Sequence, residues 1–161
     1  MLPSLEELTT ALSQHVPALP VGGGVGVEGS TLVVQPNDLL RVCEVLKAAP
    51  YYLDYVSNLT AVDYPPERMD MVYHLYSMSY KHGPVAIRVI LPRANPVVAS
   101  LTPLYRGAEF QEREVYDLFG VVFDGHPDLR RILMWDGFQG HPMRKDYIPE
   151  DQDAPMEGTP S

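Results

Sequence analysis

Cysteine is almost absent from this 161-residue chain: Cys43 stands alone. A single thiol makes no internal disulfide and no cysteine-ligated cluster, so both are excluded for the chain by itself. Within a stretch that otherwise reads as helix, Cys43 is expected to be a small buried apolar residue. Cations are also scarce, 12 Lys and Arg against 21 Asp and Glu for a formal net charge of −9. That balance argues against nucleic acid or anionic lipid as the main ligand, because phosphate binding needs a surplus of positive charge. The longest run without Asp, Glu, Lys or Arg, residues 8–27, is broken by Pro17, Pro20 and Gly22-Gly23-Gly24, so no spanning helix is expected. The start, MLPSLEELTT, has neither a basic n-region nor a long apolar segment, so no signal peptide is expected. A soluble chain is expected, with peripheral attachment to a membrane-bound partner left open.

Two chemical motifs are missing as well. Gly22-Gly23-Gly24 lacks the following Lys-Ser/Thr and helix of a phosphate loop. The five histidines, His15, His74, His82, His126 and His141, include no His-x3-His pair.

What is present is an ordinary apolar share, 45% of residues, on a length that suits one domain with its own core. Ser4-Leu5-Glu6-Glu7 has capping-box spacing and opens a helix whose stripe is Leu5, Leu8, Leu12 and Val16. Val25–Val27 and Thr31–Val34 read as a β-hairpin. Asn37 or Asp38 is expected to cap a second helix through Ala48, with Leu39, Val42, Val45 and Leu46 inward. Tyr51 to Leu59 reads as a short helix or turn. Met71 to Ser79 and Val85 to Leu91 alternate around Lys81-His82-Gly83-Pro84, a second hairpin. Asn95 to Leu101 reads as a helix, and Ala108 to Phe119 as a stronger one closed by Gly120. From Val121 the pattern becomes irregular. The expected fold is α+β: a mixed or antiparallel sheet with helices on one face, followed by a long extended C-terminal arm. The divisions are a core at 1–120, an arm at 121–148 and an acidic flexible tail at 149–161.

Chemistry has few places to reside. Glu112 and Glu114 stand two apart, so on a helix they point in different directions and make a poor acid–base pair. Glu109, Arg113 and Asp117 follow at i, i+4 and i+8, an alternating stripe that fits a salt-bridged surface or an interface. Val115, Leu118, Phe119 and Val122 keep the helical period and are expected to face the core. A metal-dependent hydrolase would need His126 and His141 brought together, with Asp128 or Asp146 completing the set. The bland alternative is that each histidine, lying before a proline in extended chain, bonds backbone or a carboxylate. Arg130, Arg131, Arg144 and Lys145 form a cationic stretch in an acidic protein, interleaved with Leu129, Ile132, Leu133, Met134, Trp135 and Phe138. Arg and aromatic residues are interface types, and a long irregular segment is usually functional. These cations and Trp135 are therefore read as anchors on another protein, with in-chain salt bridges to the 109–117 helix as the coexisting alternative.

Three linked motifs carry a resemblance. They are Glu112-Arg113-Glu114-Val-Tyr-Asp117-Leu-Phe-Gly120, then His126-Pro-Asp-Leu-Arg130-Arg131-Ile-Leu, then Gly137-Phe-x-Gly-His141-Pro-x-Arg144-Lys145-Asp146-Tyr. With Leu59-Thr-Ala-Val-Asp63-Tyr64-Pro and Tyr73-His-Leu-Tyr-Ser77, they resemble the 30 kDa (C-type) subunit family of NADH:quinone oxidoreductase, respiratory complex I, over roughly residues 50 to 148. The resemblance implies a structural subunit of the peripheral arm with no catalytic residue and no cofactor or metal of its own. FMN and iron–sulfur clusters would lie in partner subunits. The implied neighbours are the large D-type subunit, which bears the quinone site, and the B-type subunit, which bears a cluster. The implied location is the cytoplasmic side of the cell membrane, held through the complex. Related subunits serve ferredoxin- or F420-dependent complexes and membrane-bound hydrogenases, so the resemblance leaves the electron donor open. The signature residues it marks are Glu112, Arg113, Glu114, Asp117, His126, Arg130, Arg131, Trp135, His141, Arg144, Lys145 and Asp146.

Overall fold

The computed structural model describes residues 3–16, 25–28 and 31–150, with backbone alone at 25–28. The glycine run at 22–24 and the acidic tail beyond Glu150 lie outside the described residues. Helix α1 (Leu5–His15) begins as its capping box requires: Glu7 N–H donates to Ser4 Oγ at 3.2 Å, and Ser4 N–H donates to Glu7 Oε2 at 2.8 Å. Leu8, Leu12 and Val16 are buried beneath it. Strands β1 (Val25–Glu28) and β2 (Thr31–Val34) then pair as the expected antiparallel hairpin.

Helix α2 (Leu39–Lys47) buries Leu39, Val42, Cys43 and Leu46, while Val45 sits half-buried. Its start differs from expectation. Pro36–Asp38 forms a 3-10 turn leading straight into the helix, and neither Asn37 nor Asp38 makes a side-chain cap. Proline in the first turn lacks an N–H to satisfy, which suits it to that entry.

Three long strands form the centre: β3 (Tyr55–Tyr64), β4 (Arg68–Ser77) and β5 (His82–Pro92). The helix or turn expected over 51–59 is thus replaced from Tyr55 onward by strand. The hairpin between β4 and β5 turns at 78–81, so His82-Gly83-Pro84 belongs to β5 rather than to the turn. The helix expected over 95–101 is instead β6 (Val97–Ala99), which pairs in parallel with β7 (Val122–Asp124). That strand opens the stretch expected to be irregular from Val121. It also reverses the expectation for Val122: alternation buries Val121 and Phe123 and turns Val122 outward.

The main sheet runs β1-β2-β5-β4-β3, antiparallel except for the parallel pair β2–β5. Its inner rows are apolar, with Leu59, Tyr73, Ile87 and Leu32 in one register and Ala61, Met71, Val89 and Val34 in the next. The buried Tyr73 hydroxyl lies in the field of both Cys43 on α2 and Glu112 on α3 (Ala108–Phe119), so those helices cover the same face. The fold is therefore α+β, with a mixed sheet and helices on one side. Each fully buried Leu, Ile or Met contributes about 1.5–3 kcal/mol, and this single core positions α3 against β3.

Candidate partner interface

Helix α3 carries the densest charge of the sequence, and the structure sorts it by face. Glu112 and Asp117 are completely buried, Arg113 nearly so, and Glu114 is exposed. Glu112 accepts from Ser100 Oγ at 2.6 Å and from the Leu101 N–H at 2.6 Å, which ties the helix to the chain ahead of it. Burial pushes its carboxyl up despite those two bonds. At the helix end, Gly120 adopts φ +75° and its N–H returns to the Tyr116 carbonyl. A β-carbon there would lie 2.5 Å from His141 Nε2. Gly120 therefore serves twice, as a left-handed stop and as the floor under the arm.

The chain from Gly125 to Tyr147 folds back along α3 and is fastened at several points. Asp117 forms the central one. Its Oδ2 accepts three consecutive backbone N–H groups, from Ile132 (3.0 Å), Leu133 (2.7 Å) and Met134 (2.8 Å), while Oδ1 accepts from Arg131 Nη1 at 2.7 Å. Successive amides around one anion form a nest. Burial pushes the Asp117 carboxyl up, but the hydrogen bonds from Met134, Arg131, Leu133 and Ile132 outweigh it and hold the group below the ordinary carboxylate range. Arg113, one turn earlier, completes the clasp by donating to the Arg130 and Arg131 carbonyls at 3.1 and 3.0 Å.

Both histidines point inward at backbone. His126 Nδ1 accepts the Asp128 N–H at 3.0 Å, so its proton sits on Nε2, 3.0 Å from the Glu109 carbonyl. His141 Nδ1 donates to the Asp117 carbonyl at 3.1 Å; burial, with Arg144 and Arg131 nearby, lowers its proton affinity. Asp146 lies elsewhere, on Arg93 at 2.5 Å. The hydrolase constellation of His126, His141 and Asp146 is therefore not assembled: two members sit two turns apart along α3 and the third is on the sheet. Among the described residues no group of three or more His, Cys, Asp or Glu is placed to hold a metal ion.

The cations expected to grip another protein divide. Arg131 donates to Asp117 and to the Gly140 carbonyl, and Arg144 Nε donates to the Phe119 carbonyl at 2.6 Å. Both bind their own helix end. Arg130 stays in solvent, paired with Asp128 at 2.8 Å. Lys145 lends its N–H to Asp63 at 2.8 Å and holds its ammonium 5.6 Å from the Tyr64 ring. The expected Glu109–Arg113–Asp117 stripe also fails as a salt-bridged ladder, since the carboxylate partner is Arg131 and Arg113 takes carbonyls instead.

Sequence reasoning misses Arg93, which stands just past β5 without a motif. It is buried, bonds Asp63 at 2.6 and 3.1 Å, and reaches Asp146, fixing the arm's far end to the sheet; hydrogen bonding to Arg93 holds the Asp63 carboxyl low. Between its two fastenings the arm turns Ile132, Leu133, Trp135 and Met143 outward, with Phe110 of α3 and Ile148 also exposed. Trp135 packs edge-on to Phe138 at 4.9 Å, and Arg131 lies over the same ring at 5.4 Å. Asp117, Arg113, Arg131, His126, His141 and Arg144 use their polar groups between arm and helix, while Ile132, Leu133, Trp135 and Met143 face outward beside solvated charges such as Asp128, Arg130 and Asp136.

Residues 32–153 match the family described as respiratory-chain NADH dehydrogenase, 30 Kd subunit. The chain is similar to the C-type subunit of NADH-quinone oxidoreductase from Moorella thermoacetica, 44% identical over 144 residues, which cover 89% of this chain and 95% of that one. Among solved structures it is similar to a trypsin-resistant fragment (1–134) of Nqo5, with 30% identity and a TM-score of 0.59, covering 79% of this chain and all of that one. It shares its fold with a chain of an archaeal membrane-bound sulfane sulfur reductase, at 22% identity and a TM-score of 0.68, over 89% of this chain and 85% of that one.

Proposed function

The chain belongs to the 30 kDa subunit family of respiratory-chain NADH dehydrogenase, and from that premise we propose that it is a non-catalytic scaffold in the peripheral arm of a proton-translocating NADH:quinone oxidoreductase. Its role is positional. The observation that carries this reading is the 125–147 arm, which Arg131, His126, His141 and Arg144 fasten to α3 while Ile132, Leu133, Trp135 and Met143 face outward. A segment ordered before binding loses little entropy on docking, and rigid apolar side chains supply interface contact. The surface so presented would pack on the D-type quinone-site subunit and, beside it, the B-type cluster subunit. Electrons would pass from NADH through FMN and iron–sulfur centres in partner subunits, to which this chain contributes alignment alone. No described helix is long and apolar enough to cross a membrane, so attachment to the cytoplasmic face would run through the complex. Ferredoxin- or F420-linked relatives would use the same surface with another donor subunit.

The test is assembly. Leu133→Arg and Arg130→Glu change exposed positions, so the isolated chain keeps its fold while copurification of the quinone-site and cluster subunits from membranes is lost. Arg144→Glu is a poorer probe, because it strips a bond from the end of α3. Normal assembly of both variants with abolished turnover would overturn the scaffold reading in favour of chemistry. Elemental analysis showing one equivalent of metal on the purified chain would do the same.

A further inference from the structure

Helix α3 buries two carboxyl groups, and their surroundings differ. Asp117 accepts from a guanidinium and three amides. Glu112, equally buried, accepts among the described residues only from the Ser100 hydroxyl and the Leu101 N–H. No described Lys or Arg pairs with it. Its one ion-pair neighbour is the His126 imidazole, whose Nε2 lies 3.9 Å from Glu112 Oε2 with both side chains fully enclosed. The other ionisable group turned toward it is the Tyr73 hydroxyl of β4, itself in the field of Cys43 on α2; burial pushes the proton affinity of both upward. A buried carboxyl without a cation takes up a proton rather than keep its charge.

Two groups compete for that proton, and the hydrogen bonds choose between them. His126 Nδ1 already accepts the Asp128 N–H, while its Nε2–H serves the Glu109 carbonyl. A proton on Nδ1 would set donor against donor and break the turn at 126–128. Glu112 meets no such obstacle. Ser100 Oγ accepts the Thr102 N–H at 3.2 Å and lies 2.8 Å from Thr102 Oγ1, with either hydroxyl able to donate. When Glu112 is ionised, Thr102 donates to Ser100 and Ser100 donates to Oε2. When Glu112 is protonated, its O–H donates to Ser100 and Ser100 donates to Thr102. The heavy atoms stay in place and only the hydrogens turn.

The far end of this chain is open to water. Thr102 is half-buried and lines a surface cleft of about 340 Å³ with Pro103, Arg106, Glu109, Gly125 and Pro127. A proton arriving from water at Thr102 Oγ1 releases the threonine's own hydrogen to Ser100, and Ser100 releases its own to Glu112. Each hydroxyl gains one hydrogen as it gives one up, so the carboxylate alone changes charge.

We infer that Glu112 is a proton-binding site inside the fold, filled from the Thr102 cleft through the Ser100 hydroxyl, and that losing the proton loosens residues 100–102 from α3. The site belongs to the single chain and stands apart from the scaffold role.

NMR of the full chain, isotope-labelled at the glutamate side chains, tests the site. One carboxyl is expected to titrate after the other glutamates as pH rises. It should vanish in Glu112→Gln, whose amide reproduces the hydrogen bonds of the protonated form and so keeps the fold. A proton found on the His126 ring with Glu112 ionised, or no late-titrating glutamate, overturns the site. Thr102→Val tests the relay. It removes the acceptor that Ser100 needs when Glu112 is protonated, so Glu112 should titrate at lower pH than in the wild type. Ser100→Ala removes the donor to the ionised form, so there Glu112 should titrate at higher pH. An upward shift in Thr102→Val, or none, would mean that Ser100 points one way only and would refute the relay. Hydrogen exchange tests the loosening. Protection of the Leu101 and Thr102 amides, corrected for intrinsic exchange, should fall with rising pH by up to about tenfold per unit, the limit for one linked proton. Protection there that ignores pH, or falls as much in Glu112→Gln, refutes it.

Discussion

Asp117→Asn probes the arm at its most concentrated point. The wild-type carboxylate satisfies three backbone amides with one oxygen and the Arg131 guanidinium with the other. The amide side chain has one acceptor where the carboxylate has two. Turned one way, its NH2 faces three N–H donors; turned the other, it faces Arg131, and in both cases the negative charge is gone. Removing one partner of a buried charge pair costs about 3–5 kcal/mol. The retained carbonyl oxygen of Asn keeps part of the network, which places the loss near the low end, about 3 kcal/mol. Because the arm can lift away while the core stays folded, the loss appears as local opening rather than global unfolding. At about 1.4 kcal/mol per tenfold, exchange of the Ile132, Leu133 and Met134 amides should accelerate by about two orders of magnitude. Native-state hydrogen exchange reads those three amides directly, with the β4 amides as an internal control. Rates within threefold of wild type at 132–134 would show that the nest does not hold the arm, and the clasp account would fall.

Gly120→Ala should lose about 1–2 kcal/mol for the left-handed backbone alone, and more because its methyl would displace His141; a urea-midpoint loss below about 0.5 kcal/mol refutes the close contact. Tyr73→Phe should be neutral or stabilising by about 1 kcal/mol, since its buried hydroxyl has no hydrogen-bond partner among the described residues; a comparable loss in a urea melt would reveal one. Acid should loosen the arm. Asp117, Asp63 and Asp146 have depressed folded pKa values, so their stabilisation is full above the ordinary aspartate value and is lost as pH falls through the folded ones. Arm amides should therefore lose protection in two stages, first as pH falls below the ordinary imidazole value of 6.5, because His141 binds its proton more weakly in the folded arm, and again below about pH 4 as the aspartates protonate; constant protection from about pH 7 down to about pH 3 would be inconsistent. Glu112 has the opposite sign: its folded pKa is raised, so its contribution is largest below the ordinary carboxyl value of 4.5 and shrinks as pH rises through the folded one. Glu112→Gln should flatten that decline in urea midpoints measured between pH 4 and 8, and an unchanged slope would count against it.

The parts of the fold legible in the sequence are those governed by local chemistry. Capping of α1, the end of α3 at Gly120 and the alternation of β4 and β5 follow from side chains within a few residues. Strand β3 is obscured by its own irregularity. A bulge between Val56 and Asn58 adds one residue to the strand, so the buried positions fall at Leu53, Val56 and Leu59 before alternation resumes at Ala61 and Asp63. Spacing of three mimics a helix. Strand β6 escapes notice because three residues carry almost no period and its partner β7 lies far along the chain. At the candidate interface the residue types are legible but their directions are not. Charge pattern announces that Asp117, Arg131 and Arg144 matter, yet only the return of the chain onto α3 shows that Arg131 meets Asp117 and Arg144 the Phe119 carbonyl rather than a neighbour. Arg93 has no local signal, since its partners Asp63 and Asp146 are brought together solely by tertiary structure.

The parallel pairing of β2 with β5 bears on how the chain reaches this state. Strands β3, β4 and β5 are consecutive neighbours joined by short turns, so they can zip as a meander with little loop closure. Joining β2 to β5 encloses α2, β3 and β4 in one large loop, whose entropy must be lost before any ladder bond forms. The fold thus divides in time where it is continuous in space. The meander closes through short turns, while the β2–β5 seam is the pairing that carries the largest loop-closure cost of the main sheet.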